Sequence, residues 1–184
     1  MGLMLAIIFA IGILILTYNS LVAKKNQVDN ISASLNAILK KRYNLIPNII
    51  SSVKEYIKYE KEVLEKITTL RSKALNHSIS PESQVEIDKE MSTALRSILV
   101  AVENYPELKA DKNFIHLQRT LNEIEEQISA ARRAYNQAAT DYNNALEMFP
   151  TNIMASFLHY KRKPLFIIDE IEKENPNVKD LFNR

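Results

Sequence analysis

The sequence predicts an all-α protein: an antiparallel up-and-down four-helix bundle preceded by one N-terminal transmembrane helix. Three observations lead there. The 184 residues include two glycines, Gly2 and Gly12, and none after them, so glycine-dependent hairpin turns and phosphate loops are absent. Apolar residues recur at three- and four-residue spacing along most of the chain, the period of a helix with one buried face. The six prolines fall where that period breaks, at first turns and connections where proline is tolerated. A composition of 46% hydrophobic and 25% charged residues is enough for a packed core and argues against wholesale disorder.

The first element is apolar from Leu3 to Leu16 and carries no charged side chain before Lys24. Fourteen residues make about 21 Å of helix, short of a hydrocarbon core of roughly 30 Å. Residues 1–23 together are long enough, with Tyr18 placed as an interfacial aromatic. The competing reading is a cleaved signal peptide. It is disfavoured because no basic residue precedes the apolar run and Leu21-Val22-Ala23 is a poor small-residue cleavage site. Basic residues Lys24, Lys25, Lys40, Lys41 and Arg42 all follow the span. The positive-inside rule therefore expects a single-pass cell-membrane protein with its amino terminus outside and the bundle in the cytoplasm.

Beyond the anchor, residues 24–160 read as the bundle. Helix A is expected to about Tyr43, with Val28, Ile31, Leu35, Ile38, Arg42 and Leu45 on its seam. Helix B is expected from about Pro47 to Asn76, on Ile46, Ile50, Val53, Ile57, Glu60, Leu64, Ile67, Arg71 and Ala74. Ser80, Pro81 and Glu82 form a start signal for helix C, which runs to about Glu103 on Ile87, Met91, Ala94, Ile98, Ala101 and Tyr105. Helix D is expected from about Asp111 to Met148, with an unbroken coiled-coil-type seam from Phe114 through Leu121, Ile128, Tyr135 and Tyr142 to Phe149. Short connections between four such helices specify the bundle. One long coiled coil is the alternative, and Pro47, Pro81 and Pro106 would interrupt it. Residues 161–184 are expected to be a tail, either a short docking helix or a partner-binding segment, with one more helical turn or two over 151–160.

The chemistry is sparse. The absence of cysteine excludes disulfides, thiolate zinc sites and thiol nucleophiles. Residues three before His77, His116 and His159 are Ala74, Asn113 and Ser156, so the Glu-x-x-His signature of di-iron bundles is missing. No serine has the glycine neighbour of a nucleophile elbow. Carboxylate pairs such as Glu125-Glu126 read as solvated helix faces. With 24 basic against 22 acidic residues, the chain lacks the basic surface of a nucleic-acid binder. Lys40-Lys41-Arg42 and Lys161-Arg162-Lys163 suit anionic headgroups or solvation better. The expectation is a protein that is not an enzyme, with no metal, cofactor, nucleic acid or small-molecule substrate. Arg42, Glu60 and Arg71 nevertheless stand at seam positions. They are either snorkelling side chains at a helix edge or parts of a polar network with Arg132, Asn136 and Asn143 that fixes register.

Several motifs carry a family resemblance. Tyr18-Asn19-Ser20-Leu21-Val22 and Lys41-Arg42-Tyr43-Asn44-Leu45-Ile46-Pro47-Asn48 resemble the opening signature of the LemA family. The likeness continues at Glu60, Arg71, Tyr105 to Ala110, Asn113-Phe114, Leu117-Gln118, Ala131-Arg132, Tyr135-Asn136, Tyr142-Asn143 and Phe149-Pro150, covering residues 18–158. The resemblance implies a bacterial or archaeal membrane-anchored four-helix bundle without known activity, often found with membrane metalloproteases. It marks Arg42, Tyr43, Pro47, Asn48, Glu60, Arg71, Arg132, Tyr135, Asn136, Asn143, Phe149 and Pro150 as candidate structural or interaction residues. The sequence departs from the pattern at Ser32, commonly tryptophan in the family, and at Asn36, Asn44 and Gln137, commonly aspartate. Two functions from different classes follow. One is a non-catalytic scaffold or accessory module for another membrane or envelope protein. The other is a regulator of membrane proteolysis, or an enzyme without a recognisable motif. A weaker third is an exported, antigen-like envelope protein.

Overall fold

The computed structural model describes residues 1–56, 60–76 and 81–166. Every regular element among them is a helix: α1 Gly2–Val53, α2 Lys61–Ala74, α3 Pro81–Val102, α4 Pro106–Lys109, α5 Lys112–Glu147 and α6 Thr151–Phe157. Helix α1 has 52 residues, about 78 Å end to end at 1.5 Å per residue. The apolar segment and the first bundle helix are thus one rod. Among the described residues it is the one helix long and apolar enough to cross a membrane.

The break expected between Tyr43 and Pro47 does not occur. Pro47 lies inside α1, and the chain turns after Val53, in a stretch without proline or glycine. Residue 57 of the expected helix B seam lies outside the described residues, as do His77 and Ser80. Two facts make the later turn intelligible. Ile46, Ile49 and Val53 are all buried, so α1 still has core to cover past the proline. The carbonyl that Pro47 leaves without an in-helix donor finds another partner, described below.

Helices C and D stand close to where the apolar period places them. Asp111 caps α5, its carboxylate accepting from the Phe114 amide at 2.8 Å, as an N-cap does for an orphan donor. α5 ends one turn before Pro150, because a residue preceding proline is driven out of the helical region. Phe149, the expected last seam residue of helix D, is a correction. It lies past the end of α5 and is 78% exposed.

Two cores divide the molecule. The distal one joins Leu35 to Val53 of α1 with Ile67 and Leu70 of α2, Met91 to Val102 of α3, Leu108 of α4, and Phe114 to Ile128 of α5. The proximal one, nearer the amino terminus, joins Leu21 and Val28 with Tyr135, Ala138, Ala139, Tyr142 and Ala145 of α5 and Ala155 of α6. α1 and α5 share both cores as an antiparallel pair, and α2 packs on α3 in the distal half. Past α6 the chain runs without helix through residues 160–166, returning along α5. Residues 167–184, and with them most of the tail for which a docking helix or partner-binding segment is expected, lie outside the described residues.

Candidate functional site

The most demanding polar feature is a charge cluster inside the distal core. Arg42 is fully buried and Asp88 is 1% exposed. The Arg42 guanidinium donates through Nη1 to Ser92 Oγ at 2.8 Å and Glu125 Oε1 at 2.9 Å, and through Nη2 to Asp88 Oδ1. The second Asp88 oxygen accepts from Arg132 Nη2. Two guanidinium groups and two carboxylates therefore balance, the partly exposed Glu125 and Arg132 flanking the buried Arg42–Asp88 pair, which needs such balance because an unpaired charge is costly out of water. Burial alone would lower the Arg42 pKa. The facing Asp88 and Glu125 charges outweigh it, so the guanidinium is held more firmly protonated than usual. The guanidinium also lies over the Tyr43 ring, 5.4 Å from its centroid. Burial in turn raises the Tyr43 hydroxyl pKa.

The cluster binds α1, α3 and α5 in one register. Both Asp88 oxygens are engaged by arginines, so this carboxylate is held as an acceptor. Among the described residues, Arg42 Nε, Arg132 Nε and the Tyr43 hydroxyl are buried without a hydrogen-bond partner. Also among the described residues, no group of three or more His, Asp or Glu side chains is placed to hold a metal.

A second device explains how α1 tolerates its proline. Pro47 has no N–H, so the carbonyl four residues earlier, that of Tyr43, loses its helical donor. Arg71 Nε of α2 donates to that oxygen at 3.0 Å. Arg71 thus ties α2 to α1 at the one place where the α1 ladder is open. Glu60, at the start of α2, accepts from the Tyr105 hydroxyl at 3.3 Å and so links the beginning of α2 to the start of α4.

A third device holds residues 160–166 against α5. Asn143 Oδ1 accepts from the Lys163 amide at 2.8 Å and its Nδ2 donates to the Lys163 carbonyl at 2.9 Å. Asn136 repeats the pattern on Phe166, both contacts at 2.8 Å. The two asparagines are seven residues apart, about 10 Å along a helix. Three residues of extended chain cover the same distance, so the ladder reads successive positions of one strap. Phe166 packs edge-on against Tyr135, with ring centroids 5.1 Å apart at 78°. Lys163 Nζ donates to Asp29 Oδ1 at 3.0 Å and closes the strap onto α1. Ser32 lines a cleft beside Phe166 with Leu35 and Tyr135, where the family resemblance implies a bulkier tryptophan.

The expected polar network is therefore corrected in membership. Arg42 and Arg132 belong to it. Asn136 and Asn143 serve the strap instead, Glu60 and Arg71 make separate ties, and Asp88, Ser92 and Glu125 were missed. Glu125, expected on a solvated face, is an Arg42 partner. Asp88 had a legible signal, since it stands one turn before Met91 on the α3 seam and a seam aspartate needs a seam cation. Asn48 is exposed. Phe149 and Pro150 form the α5–α6 corner, with a cis peptide between them.

Comparison with known proteins agrees with the motifs. The profile of the LemA family matches residues 31–179, beyond residue 158 where the motif likeness stops. Protein LemA of Metamycoplasma hominis is 31% identical over 180 residues, covering 96% of this chain and 82% of the relative. Magnetosome protein MamQ 2 of Paramagnetospirillum magneticum is 21% identical over 88% of this chain and 69% of its own length. Magnetosome protein MamQ of Magnetospirillum gryphiswaldense is 19% identical over the same shares. On the profile match and the identity to a LemA protein along nearly its whole length, this chain belongs to the LemA family.

Proposed function

We propose that this protein is a membrane-anchored, non-catalytic scaffold or accessory module for another membrane or envelope protein. Residues 1–23 cross the bilayer with the amino terminus outside, and an antiparallel up-and-down four-helix bundle built on α1, α2, α3 and α5 stands in the cytoplasm. The observation that carries the reading is the continuity of α1. Its apolar first third is exposed along Leu3, Phe9 and Leu16, and the same helix then becomes the spine of both cores. A rod without a joint at the boundary holds a folded domain at a fixed height and angle above a membrane, which suits a platform. The buried polar groups around Arg42, Arg71, Asn136 and Asn143 tie elements of the fold together, and relatives named for a subcellular structure rather than a reaction accord with this.

Two measurements test it. The chain has no cysteine, so single cysteines can be labelled in intact cells without background. An impermeant reagent should not label an exposed α2 site such as Lys73→Cys; labelling there would reverse the orientation. Purification of the full chain from detergent-solubilised membranes should yield a stoichiometric protein partner. Substrate turnover by the protein alone would replace the scaffold with an enzyme.

A further inference from the structure

The corner after α5 leaves apolar surface that the fold does not use. Phe149, Ile153 and Phe157 follow one another at four-residue spacing and are 78%, 60% and 80% exposed, with Met148 beside them at 62%. On the opposite face of α6, Ala155 is buried in the proximal core together with Leu21. The stripe therefore faces away from the protein along the whole short helix. From Met148 to Tyr160 no Asp, Glu, Lys or Arg occurs, the longest such run after Lys24. Glu147 precedes it, and exposed Lys161 and Arg162 follow it.

Position decides what covers this surface. Because α6 packs on α1 and shares the proximal core with Leu21 and Val28, it lies near the end of the apolar segment of α1, whose first charged side chain is Lys24. We propose that the Phe149–Ile153–Phe157 stripe is a second membrane contact, lying in the interface of the same leaflet into which α1 emerges. Its occupant is the lipid surface. A charge-free amphipathic turn with aromatic rings outward sits at the boundary between headgroups and acyl chains. Lys161 supplies a cation at headgroup level, where anionic lipid attracts it. With α1 fixing height and α6 fixing rotation, the domain is held at two points and presents one constant face to the cytoplasm. The proposal rests on the reading that residues 1–23 span the bilayer.

Depth-dependent quenching on the full chain tests both readings separately. An environment-sensitive fluorophore is placed singly at Phe9→Cys, Ile153→Cys, Phe157→Cys or Ile115→Cys, and the protein is reconstituted in phosphatidylcholine–phosphatidylglycerol vesicles carrying spin-labelled lipid. Circular dichroism verifies that each labelled protein melts like the unlabelled one. The expected result is blue-shifted emission at 153 and 157, quenched by shallow spin labels more than by deep ones, with 115 unaffected. If 9 is quenched while 153 and 157 behave like 115, the span stands and the second contact is overturned. If 9 is not quenched, the span itself fails and this proposal with it. Crosslinking of the Phe157→Cys site to a second copy, without quenching, would assign the stripe to an oligomer contact and also overturn it.

Discussion

The two halves of the molecule solve the same packing problem with different materials. In the distal half α1 and α5 are covered by α2 and α3, and the core is built of large aliphatic side chains such as Ile46, Ile67, Ile98 and Leu121 around a balanced set of charges, with Arg42 and Asp88 buried and Glu125 and Arg132 partly exposed. In the proximal half α2 and α3 no longer reach. There the pair is covered by α6 and the strap, and alanines make up half of the buried side chains: Ala138, Ala139, Ala145 and Ala155. Alanine lets backbones approach closely, and the asparagines then hold the strap by its main chain. The contrast teaches that register is set differently in each half. Charges that tolerate one geometry fix the distal helices, and paired backbone hydrogen bonds fix the proximal strap.

The largest test of that division is removal of Arg42 or Asp88. Arg42→Ala leaves the Asp88 and Glu125 carboxylates short of a partner, and Asp88→Ala leaves two arginines facing each other. Either should destabilise by about 3–5 kcal/mol, as when one member of a buried pair is deleted. Arg42→Lys keeps the charge without the planar fork and should cost on the order of 1–3 kcal/mol as donors are lost. Chemical denaturation of the detergent-solubilised chain, followed by circular dichroism, measures these. Hydrogen exchange sharpens the comparison: protection should fall across α3 and the distal parts of α1 and α5, with Ala138 to Ala145 little changed. Equal losses in both halves would make them one cooperative unit. The Arg42→Met, Asp88→Leu double variant should be more stable than the sum of its singles; strict additivity would dissolve the network.

How far the sequence foretells this differs by level. Helices C and D were legible nearly to the residue, because proline or aspartate marks their starts and a strict apolar period runs their length. The turn after Val53 was not. Residues 54–56 carry no proline or glycine, and helix α1 gives way to a turn there because Ile67 and Leu70 must reach the distal core, which is a tertiary demand. Proline at 47 misled for a related reason: its local penalty is offset by Arg71, a donor 28 residues away in sequence. Within the site, a seam arginine announced a buried charge at Arg42. Its partners were hidden because a lone aspartate or glutamate on an amphipathic helix reads as solvated until the facing helix is known. Asn136 and Asn143 were recognised as residues of interest, but their task depends on an irregular segment with no period to read.

The strap offers the next effect in size. Asn143→Ala removes one acceptor and one donor from Lys163. With each hydrogen bond worth about 1 kcal/mol net, the strap should loosen by about 1–3 kcal/mol while the distal half keeps its stability. Amide exchange at Lys163 and Phe166 reads this directly, and Asn136→Ala should act chiefly on Phe166. If exchange at both amides stayed as slow as in the parent, the ladder would not be what holds the segment. Asn143→Asp should fall between, since it keeps the acceptor for the Lys163 amide and turns a second oxygen toward the Lys163 carbonyl.

The smallest expected effect belongs to Asp29, where the strap meets α1. Partial burial works to raise its pKa, but hydrogen bonds from Lys25 and Lys163 more than offset this, and the carboxyl lies below its usual range. A carboxylate whose folded pKa is depressed contributes stability that is fully present above its unfolded value, about 3.9, and is lost as pH falls through the folded value. The Asp29 and Lys163 side chains are 43% and 34% exposed, so water screens the pair and its contribution should be about 0.2–1 kcal/mol. Asp29→Asn should therefore speed exchange at Lys163 modestly at pH 7. Strap opening is measured for both proteins by an environment-sensitive label at Leu165→Cys, read down through the acid range. The two curves should converge once the parent carboxyl is protonated. The distal charges give the contrast: salt should weaken the Asp29 tie and leave the Arg42 cluster little affected, because screening acts on exposed pairs far more than on buried ones. A salt-insensitive strap would mean that the asparagines alone hold it and that Asp29 is a bystander.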